Sequence, residues 1–219
     1  MKPPHGLWIV FDGGEGAGKS DQAKRLAAAF RTLGFHVVET REPGATVLGA
    51  EIRRLLLQQE GDTPGPRTEA LLFAADRAHH VEKVVYPALM DGAIVIQDRG
   101  IGSTLAYQAG AGSLGYNEVK HLSTWAMNGI LPHMTFYLDI DAAEGLDRVL
   151  ARGGWNRMEA KGVAYHQEAR KAFRMQAQAY DWFEIDATLP PDVVHEKVFE
   201  LAHAEALLFG HKPGELEKP

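Results

Sequence analysis

Short apolar runs alternate with helical periods along most of the chain. Five of these runs, most of them rich in β-branched and aromatic residues, predict strands. The predicted strands span residues 7–11, 36–40, 93–96, 135–138 and 183–186. The first run, LWIVF, is apolar on both faces, which is typical of a strand buried inside a parallel sheet.

Between these runs, apolar residues recur every three or four positions, which predicts helices. The predicted helices span residues 19–33, 47–57, 68–90, 116–128, 142–151, 165–181 and 192–208. We expect helix 68–90 to bend near Pro87, and only a short helical piece, 104–108, within the Gly-rich stretch 100–115. The alternation of strands and helices predicts an α/β fold, with helices on both faces of a five-stranded parallel sheet.

No repeat or low-complexity linker divides the chain, so we predict one domain over residues 1–210. The segment 152–162 is polar and lies between two predicted helices, and residues 211–219 are expected to form a flexible tail.

Composition narrows the classes of function. The formal net charge of the 219-residue chain is −6, so a general nucleic-acid-binding role is not expected. The chain has no cysteine, which excludes disulfides, thiolate metal sites and cysteine nucleophiles. No apolar run approaches the roughly 18 residues that span a bilayer, and the run 7–11 is too short for a signal peptide. We therefore expect a soluble, cytoplasmic protein with no membrane partner.

A phosphate-binding motif follows the first predicted strand. Residues 13–20 have the sequence GGEGAGKS and match the pattern G-x-x-x-x-G-K-[ST] between a strand and a helix. Backbone N–H groups of such a loop surround the phosphates of ATP, here at Gly13, Gly14, Glu15, Gly16, Ala17 and Gly18. Lys19 is expected to reach the β- and γ-phosphates, and the Ser20 hydroxyl to bind Mg²⁺. The motif predicts a P-loop NTPase fold with three layers, α/β/α.

Further motifs follow in a characteristic order. They are REPG at 41–44, EIRRLL at 51–56, LFAADR at 72–77, DR at 98–99, STLAYQ at 103–108 and RME at 157–159. Together with the P-loop, this ordered set resembles the bacterial thymidylate kinases, which are P-loop nucleoside monophosphate kinases. The resemblance extends over about residues 7–208. It implies phosphoryl transfer from ATP to dTMP, with Mg²⁺ as cofactor, and a homodimer.

The resemblance also implies roles for individual residues. Arg99 and Arg53 correspond to arginines that bind the monophosphate, and Asp98 to a carboxylate near Mg²⁺. The other residues implied at the substrate are Phe73 stacked on the thymine, Arg77 and Thr104 at its polar edge, Tyr107 beside the deoxyribose and Glu15 at the 3′-hydroxyl.

A polar segment, 152–162, resembles the lid of this family. Some members carry a catalytic arginine in the P-loop and others carry it in the lid. This P-loop contains no arginine, so we expect the lid to supply the cation, with Arg157 as the first choice and Arg152 as the second. Arg148 is expected to stack on the adenine of ATP.

Several positions depart from the family pattern. Asp21 stands where threonine is usual beside the α-phosphate, so it either turns away, joins the Mg²⁺ shell or weakens ATP binding. Gly100 replaces a tyrosine or histidine, and Asn156 replaces an aspartate of the lid. Two alternatives therefore stay open: a kinase for another deoxynucleoside monophosphate, such as dUMP, or a nucleotide-binding homologue with weak catalysis.

Overall fold

The computed structural model describes residues 5–57, 62–153 and 156–211. Its five strands form one parallel sheet in the order β2-β3-β1-β4-β5. The strands are β1 (Leu7–Gly13), β2 (Val37–Arg41), β3 (Ile94–Asp98), β4 (Met134–Asp139) and β5 (Phe183–Asp186). The predicted strands and their parallel arrangement are confirmed. The predicted tail, 211–219, lies outside the described residues except for His211.

Helices connect the strands. They are α1 (Lys19–Thr32), α2 (Val47–Leu57), α3 (Pro66–His80), α4 (Tyr86–Met90), α5 (Ile101–Thr104), α6 (Tyr116–Ala126), α7 (Ala142–Ala151), α8 (Val163–Ala179) and α9 (Pro191–Leu208). None of the helices within the described ranges is long and apolar enough to cross a bilayer. The limits of the single domain, 1–210, stay a prediction.

Two wider helical turns refine the sequence-based prediction. The predicted helix 68–90 consists of α3, a π-helical turn at Val81–Val85, and α4. The irregular turn lies just before Pro87, because proline lacks an N–H and its ring crowds the preceding carbonyls. The stretch 100–115, for which only a short helical piece was predicted, holds α5 followed by a second π-helical turn at Leu105–Gly110.

The two faces of β1 explain why its residues are apolar throughout. Leu7, Ile9 and Phe11 pack into the larger core with α1 and α9. Trp8 and Val10 point to the opposite face and pack with the segment from Val81 to Leu89. Helices therefore cover both sides of the sheet, and the predicted three-layer architecture is confirmed.

The carboxyl ends of the central strands meet at one edge of the sheet. Phe11 of β1 pairs in register with Asp98 of β3, which pairs with Arg41 of β2. The chain segments that leave these three strands therefore lie side by side. In open α/β sheets, this is the edge where ligands bind.

Helix α7 touches the loop that follows β1 through two glycines. A Cβ on Gly16 would lie 2.0 Å from the backbone oxygen of Gly145, and a Cβ on Gly145 would lie 2.2 Å from that of Glu15. Since both distances are far below van der Waals contact, only glycine permits this approach. The contact holds the loop against α7.

We expect Gly145→Ala to destabilise the protein, although alanine has a higher helix propensity than glycine. The new methyl group would meet the Glu15 carbonyl, and overpacking of this kind costs about 1–3 kcal/mol of unfolding free energy. Urea unfolding would measure the change. The control is Gly14→Ala, because a Cβ on Gly14 meets no atom of the described residues within 4 Å. Equal stability of the two variants would contradict the expectation.

Candidate active site

The loop between β1 and α1 is shaped by glycines. It turns through Gly13, Gly16 and Gly18, whose φ angles of 143°, 70° and 86° lie in the region that favours glycine. Gly18 precedes α1 and provides no side-chain cap for it. The first amides of α1 are therefore available to an anion, and the helix dipole favours negative charge there.

Lys19 is folded back onto its own loop. Its Nζ atom donates to the carbonyl oxygen of Gly14 at 2.5 Å, and only 5% of the residue is exposed. Burial lowers the pKa of this ammonium to about 8, and the nearby charge of Arg99 adds to the effect. Lys19 therefore lies within the loop with its charge poorly solvated.

Ser20 and Asp98 come from different elements and touch. The Ser20 hydroxyl donates to Oδ2 of Asp98 at 2.5 Å. The other carboxylate oxygen, Oδ1, is buried and has no hydrogen-bond partner among the described residues. A hydroxyl and a carboxylate with a spare oxygen are ligands that suit Mg²⁺, which takes one or two protein oxygens together with waters and phosphates.

Arg99 leaves β3 in a left-handed conformation, with a φ of 68°. Its backbone N–H donates to the carbonyl oxygen of Phe11 at 2.9 Å. The turn directs the guanidinium toward the P-loop, where Nη2 donates to both carboxylate oxygens of Glu15 at 2.7 and 2.6 Å. A bidentate pair of this kind fixes the plane of the guanidinium as well as its position.

Glu15 stays ionised in this setting. Burial would raise its pKa, but the charges of Arg99 and Lys19 outweigh burial and hold the pKa at about 2. The Tyr107 hydroxyl also donates to Oε1 of Glu15, at 3.3 Å. The Arg99 guanidinium lies 5.8 Å from the centre of the Tyr107 ring, within the range of cation–π contacts.

Arg77 is held from several sides. Its Nε donates to Glu42 at 2.9 Å, and its Nη2 to the Thr104 hydroxyl at 3.0 Å and the Gly100 carbonyl at 3.3 Å. Only 2% of Arg77 is exposed. Burial would raise the pKa of Glu42, but the charge of Arg77 and the hydrogen bond from His80 keep it below its usual value. The arginine is therefore rigid.

A cavity of about 220 Å³ joins these groups. Ten of the residues predicted from the sequence line it: Glu15, Ser20, Arg53, Phe73, Arg77, Asp98, Arg99, Thr104, Tyr107 and Arg152. Lys19 and the other P-loop residues lie beside it. Phe73 is half-buried in the wall, and Arg53 donates to the Pro43 carbonyl at 3.0 Å.

Two predicted residues lie elsewhere. The Arg157 Nη2 donates to Glu69 at 2.5 Å and its Nε to the Leu56 carbonyl at 2.8 Å, so its guanidinium is held outside this cavity. Arg148 pairs with Glu144 at 2.7 Å and donates to the Ala187 carbonyl at 2.8 Å, also away from the cavity. Arg157 is therefore not among the residues that line this cavity, and the expected contact of Arg148 with adenine stays a prediction.

Other residues line the cavity that sequence reasoning did not select. Besides the two departures Gly100 and Asn156, they are Arg41, Glu42, Pro43, Leu57, Ser103, Gln108, Met158 and Glu159. Arg41, Glu42, Ser103 and Gln108 lie inside the motifs REPG and STLAYQ, so the motif boundaries could have found them. Met158 and Glu159 likewise lie inside the motif RME of the lid, which was used only to select Arg157.

The structure accounts for two of the departures. Asp21 turns away from the loop and pairs with Arg25 at 2.7 Å, with 54% of its side chain exposed. Gly100 packs against β1, where a Cβ would lie 2.8 Å from Cγ1 of Val10. The third departure, Asn156, accepts a hydrogen bond from the backbone N–H of Met158 at 2.8 Å within the lid.

Comparison with known proteins gives one consistent result. The family model described as thymidylate kinase matches residues 11–198. Thymidylate kinase from Leifsonia xyli subsp. xyli is 44% identical over 195 residues, 88% of this chain and 92% of the relative. Thymidylate kinase from Halothermothrix orenii is 39% identical over 199 residues, 89% and 95% of the two chains. That from Bifidobacterium longum subsp. infantis is 47% identical over 171 residues, 77% and 72%. With this match over most of its length, the chain belongs to the thymidylate kinase family.

Proposed function

We propose that the protein transfers the γ-phosphoryl group of ATP to dTMP, giving ADP and dTDP. The observation that carries the proposal is that one cavity is lined by Ser20 and Asp98 and also by Arg53, Phe73, Arg77 and Arg99. The first pair suits a triphosphate with its metal ion, and the second group suits a planar base carrying a phosphate. The names of the relatives agree with this assignment.

On the donor side, the P-loop amides and Lys19 hold the β- and γ-phosphates of ATP. Lys19 must exchange its contact with the Gly14 carbonyl for one with phosphate. Ser20 and Asp98 would hold Mg²⁺, since a carboxylate oxygen lies unpaired beside the hydroxyl. The bound ion would neutralise charge on the phosphates during transfer.

On the acceptor side, Arg99 and Arg53 bind the phosphate of dTMP. The phosphate is already an anion, so one of its oxygens attacks the γ-phosphorus while the bond to the ADP oxygen breaks. No general base is required, and positioning with charge neutralisation carries the reaction. Arg99 is suited to this because Glu15 holds its guanidinium in place before either nucleotide binds.

A second group of lining residues selects the base and the sugar of the acceptor. Phe73 offers an aromatic surface on which a thymine can stack, and Arg77 and Thr104 supply polar atoms next to it. Arginine donors suit the carbonyl oxygens of thymine or uracil. Tyr107 and Glu15, already in contact, lie where we place the deoxyribose and its 3′-hydroxyl.

A homodimer and a cytoplasmic location belong to the same proposal. Helix α3 packs between α2 and α6, and these helices expose large apolar side chains: Leu48 and Leu55, Leu71, and Trp125. Exposed apolar surface on adjoining helices is typical of a protein–protein interface. Sedimentation at micromolar concentration would measure the oligomeric state.

The proposed reaction predicts ADP release that depends on dTMP. A coupled assay should compare dTMP with dUMP, dGMP, dCMP and dAMP, and we expect the highest kcat/KM with dTMP. We expect Arg99→Ala to lower kcat/KM for dTMP at least about 10³-fold, as for other cations at transferring phosphates. Arg31→Ala is the matched control, because Arg31 lies at the far end of α1 and pairs with exposed Glu39.

Three outcomes are decisive in that assay. The highest activity with dUMP would make the protein a kinase for a different acceptor. ATP binding without ADP release for any acceptor would make it a nucleotide-binding homologue. An equal effect of Arg31→Ala and Arg99→Ala would contradict the role given to Arg99.

The lowered pKa of Lys19 predicts a pH limit for ATP binding. The ammonium is charged below its pKa of about 8 and neutral above it, so its attraction for phosphate is present at pH 7 and lost as the pH rises. Calorimetric titration should show ATP affinity falling above pH 8. Lys19→Arg, which stays charged, should lose this dependence even if it binds ATP more weakly. A flat affinity from pH 7 to pH 9.5 in the unmodified protein would contradict the assignment.

The kcat values of two alanine variants distinguish the roles of the lid arginines Arg152 and Arg157. Arg152 lines the cavity, whereas Arg157 is bound to Glu69, so we expect Arg152→Ala to lower kcat by about 10³-fold. We expect Arg157→Ala to have a smaller effect on kcat. A larger loss in Arg157→Ala would show that the lid releases Arg157 from Glu69 during turnover and that Arg157 supplies the cation.

A further inference from the structure

One buried carboxylate has no part in the proposed phosphoryl transfer. It belongs to the residue that directly precedes the P-loop. Asp12 is the residue before Gly13 at the end of β1, and only 1% of it is exposed. Burial raises the pKa of its carboxyl group, and hydrogen bonds from Ser103 and Gly100 oppose the rise. Keeping a carboxylate in such a place costs folding free energy, so its contacts require an explanation.

Within the described residues, every hydrogen bond to the Asp12 carboxylate comes from the segment that follows Arg99. Its Oδ1 atom accepts from the backbone N–H of Gly100 at 3.3 Å and from the backbone N–H of Ser103 at 3.1 Å. It also accepts from the Ser103 hydroxyl at 2.6 Å. One carboxylate oxygen therefore fastens the start of α5 to the end of β1.

The Ser103 hydroxyl connects this carboxylate to Arg99. While its hydrogen points to Asp12, its oxygen accepts from Nη1 of Arg99 at 3.2 Å. The same guanidinium is held on its other side by Glu15. Arg99 is thus fixed by two carboxylates, directly by Glu15 and through a hydroxyl by Asp12.

A glycine leaves room for the second oxygen of Asp12. A Cβ on Gly102 would lie 2.7 Å from Oδ2, which is too close for a carbon atom. Oδ2 has no hydrogen-bond partner in the part of the chain that the structure describes. The close approach of Gly102 to Asp12 therefore depends on the absence of a side chain at position 102.

The segment held by Asp12 also reaches the base side of the cavity. The Gly100 carbonyl accepts from Nη2 of Arg77 at 3.3 Å, and Thr104 accepts from the same nitrogen. A shift of this segment would therefore move Arg99 and loosen Arg77 together. Both effects fall on residues that we assign to the acceptor nucleotide.

We propose that Asp12 is a positioning residue that fixes Arg99, through Ser103 and the start of α5, in the orientation that binds the acceptor phosphate. This inference rests on the proposed function, because it takes Arg99 to bind the phosphate of dTMP. Asp12 is buried behind the P-loop and acts on the acceptor side through the segment 99–103.

The test is a comparison of nucleotide affinities by calorimetry, with kinetics alongside. We expect Asp12→Asn, which keeps the shape and removes the charge, to weaken dTMP binding about tenfold, the usual effect of losing one charge-assisted hydrogen bond. The dissociation constant for ATP, measured at pH 6.5 so that Lys19 stays charged, should change much less than that for dTMP. In the assay, KM for dTMP should rise while KM for ATP stays the same.

A double-mutant cycle isolates the connection through Ser103. We expect Ser103→Ala to weaken dTMP binding in the same direction, and the double variant to lose less than the sum of the two, because both act through one chain of contacts. Where Asp12→Asn does not fold, Ser103→Ala is compared with Ser103→Thr, which keeps the hydroxyl between Asp12 and Arg99; equal dTMP affinity in these two variants would overturn the inference. The matched control is Asp139→Asn at the end of β4, a buried carboxylate that binds Arg170 and Arg174 instead.

The outcomes separate this inference from the proposed function. Additive effects, an unchanged dTMP affinity, or a loss confined to ATP would overturn the role of Asp12. An unmodified protein that binds dTMP and transfers no phosphoryl group would overturn the proposed function, while the dTMP affinities of the variants would still decide on Asp12. An equal loss of dTMP affinity in Asp139→Asn would reduce the effect to general destabilisation and overturn the inference.

Discussion

The ion pair between Arg99 and Glu15 joins the two sides of the site. It links the end of β3 to the P-loop by two short hydrogen bonds, with 20% and 12% of the two side chains exposed. Its formation requires the left-handed backbone of Arg99, and the Tyr107 hydroxyl and ring adjoin it. Since the pKa of Glu15 is held at about 2, the pair persists at neutral pH. In the proposed reaction, the guanidinium is already oriented when the acceptor phosphate arrives, so little reorganisation is needed at the moment of transfer.

Helix α3 extends this arrangement from the base site to the lid. Near its start, Glu69 accepts from Gln108, a residue of the cavity wall, and from Arg157 of the lid. Near its end, Arg77 and His80 bind Glu42, which lies next to the REPG turn. Burial would raise the pKa of Glu69, but the hydrogen bonds from Arg157 and Gln108 keep it below its usual value. One helix thus contacts both the cavity lining and the lid.

Local patterns predicted the strands and the phosphate loop because both follow from short-range rules. The run 7–11 is apolar on both faces, and the following glycines permit positive φ angles that other residues avoid. The motifs also selected Phe73, Arg77 and Arg99, which the tertiary structure brings to one cavity. Arg157 shows the limit of this reasoning. Its motif marks it as a lid arginine, but its position depends on Glu69, a residue 88 positions away in sequence.

The sequence by itself determined the α/β alternation, the P-loop and the set of charged residues that the site draws on. The tertiary structure decided which charged residues form ion pairs. A long charged side chain pairs with whichever group the fold places near it, and that group can come from a distant part of the sequence. Asp21 turns to Arg25 and away from the loop, and Arg99 is held by Glu15. In the sequence, nothing distinguishes Asp12 from the other residues of a buried strand. Its role depends on the hydrogen bonds that it accepts from Ser103, in α5. Spacing along a chain predicts neighbours on one element, whereas contacts between elements depend on packing that only the folded chain defines.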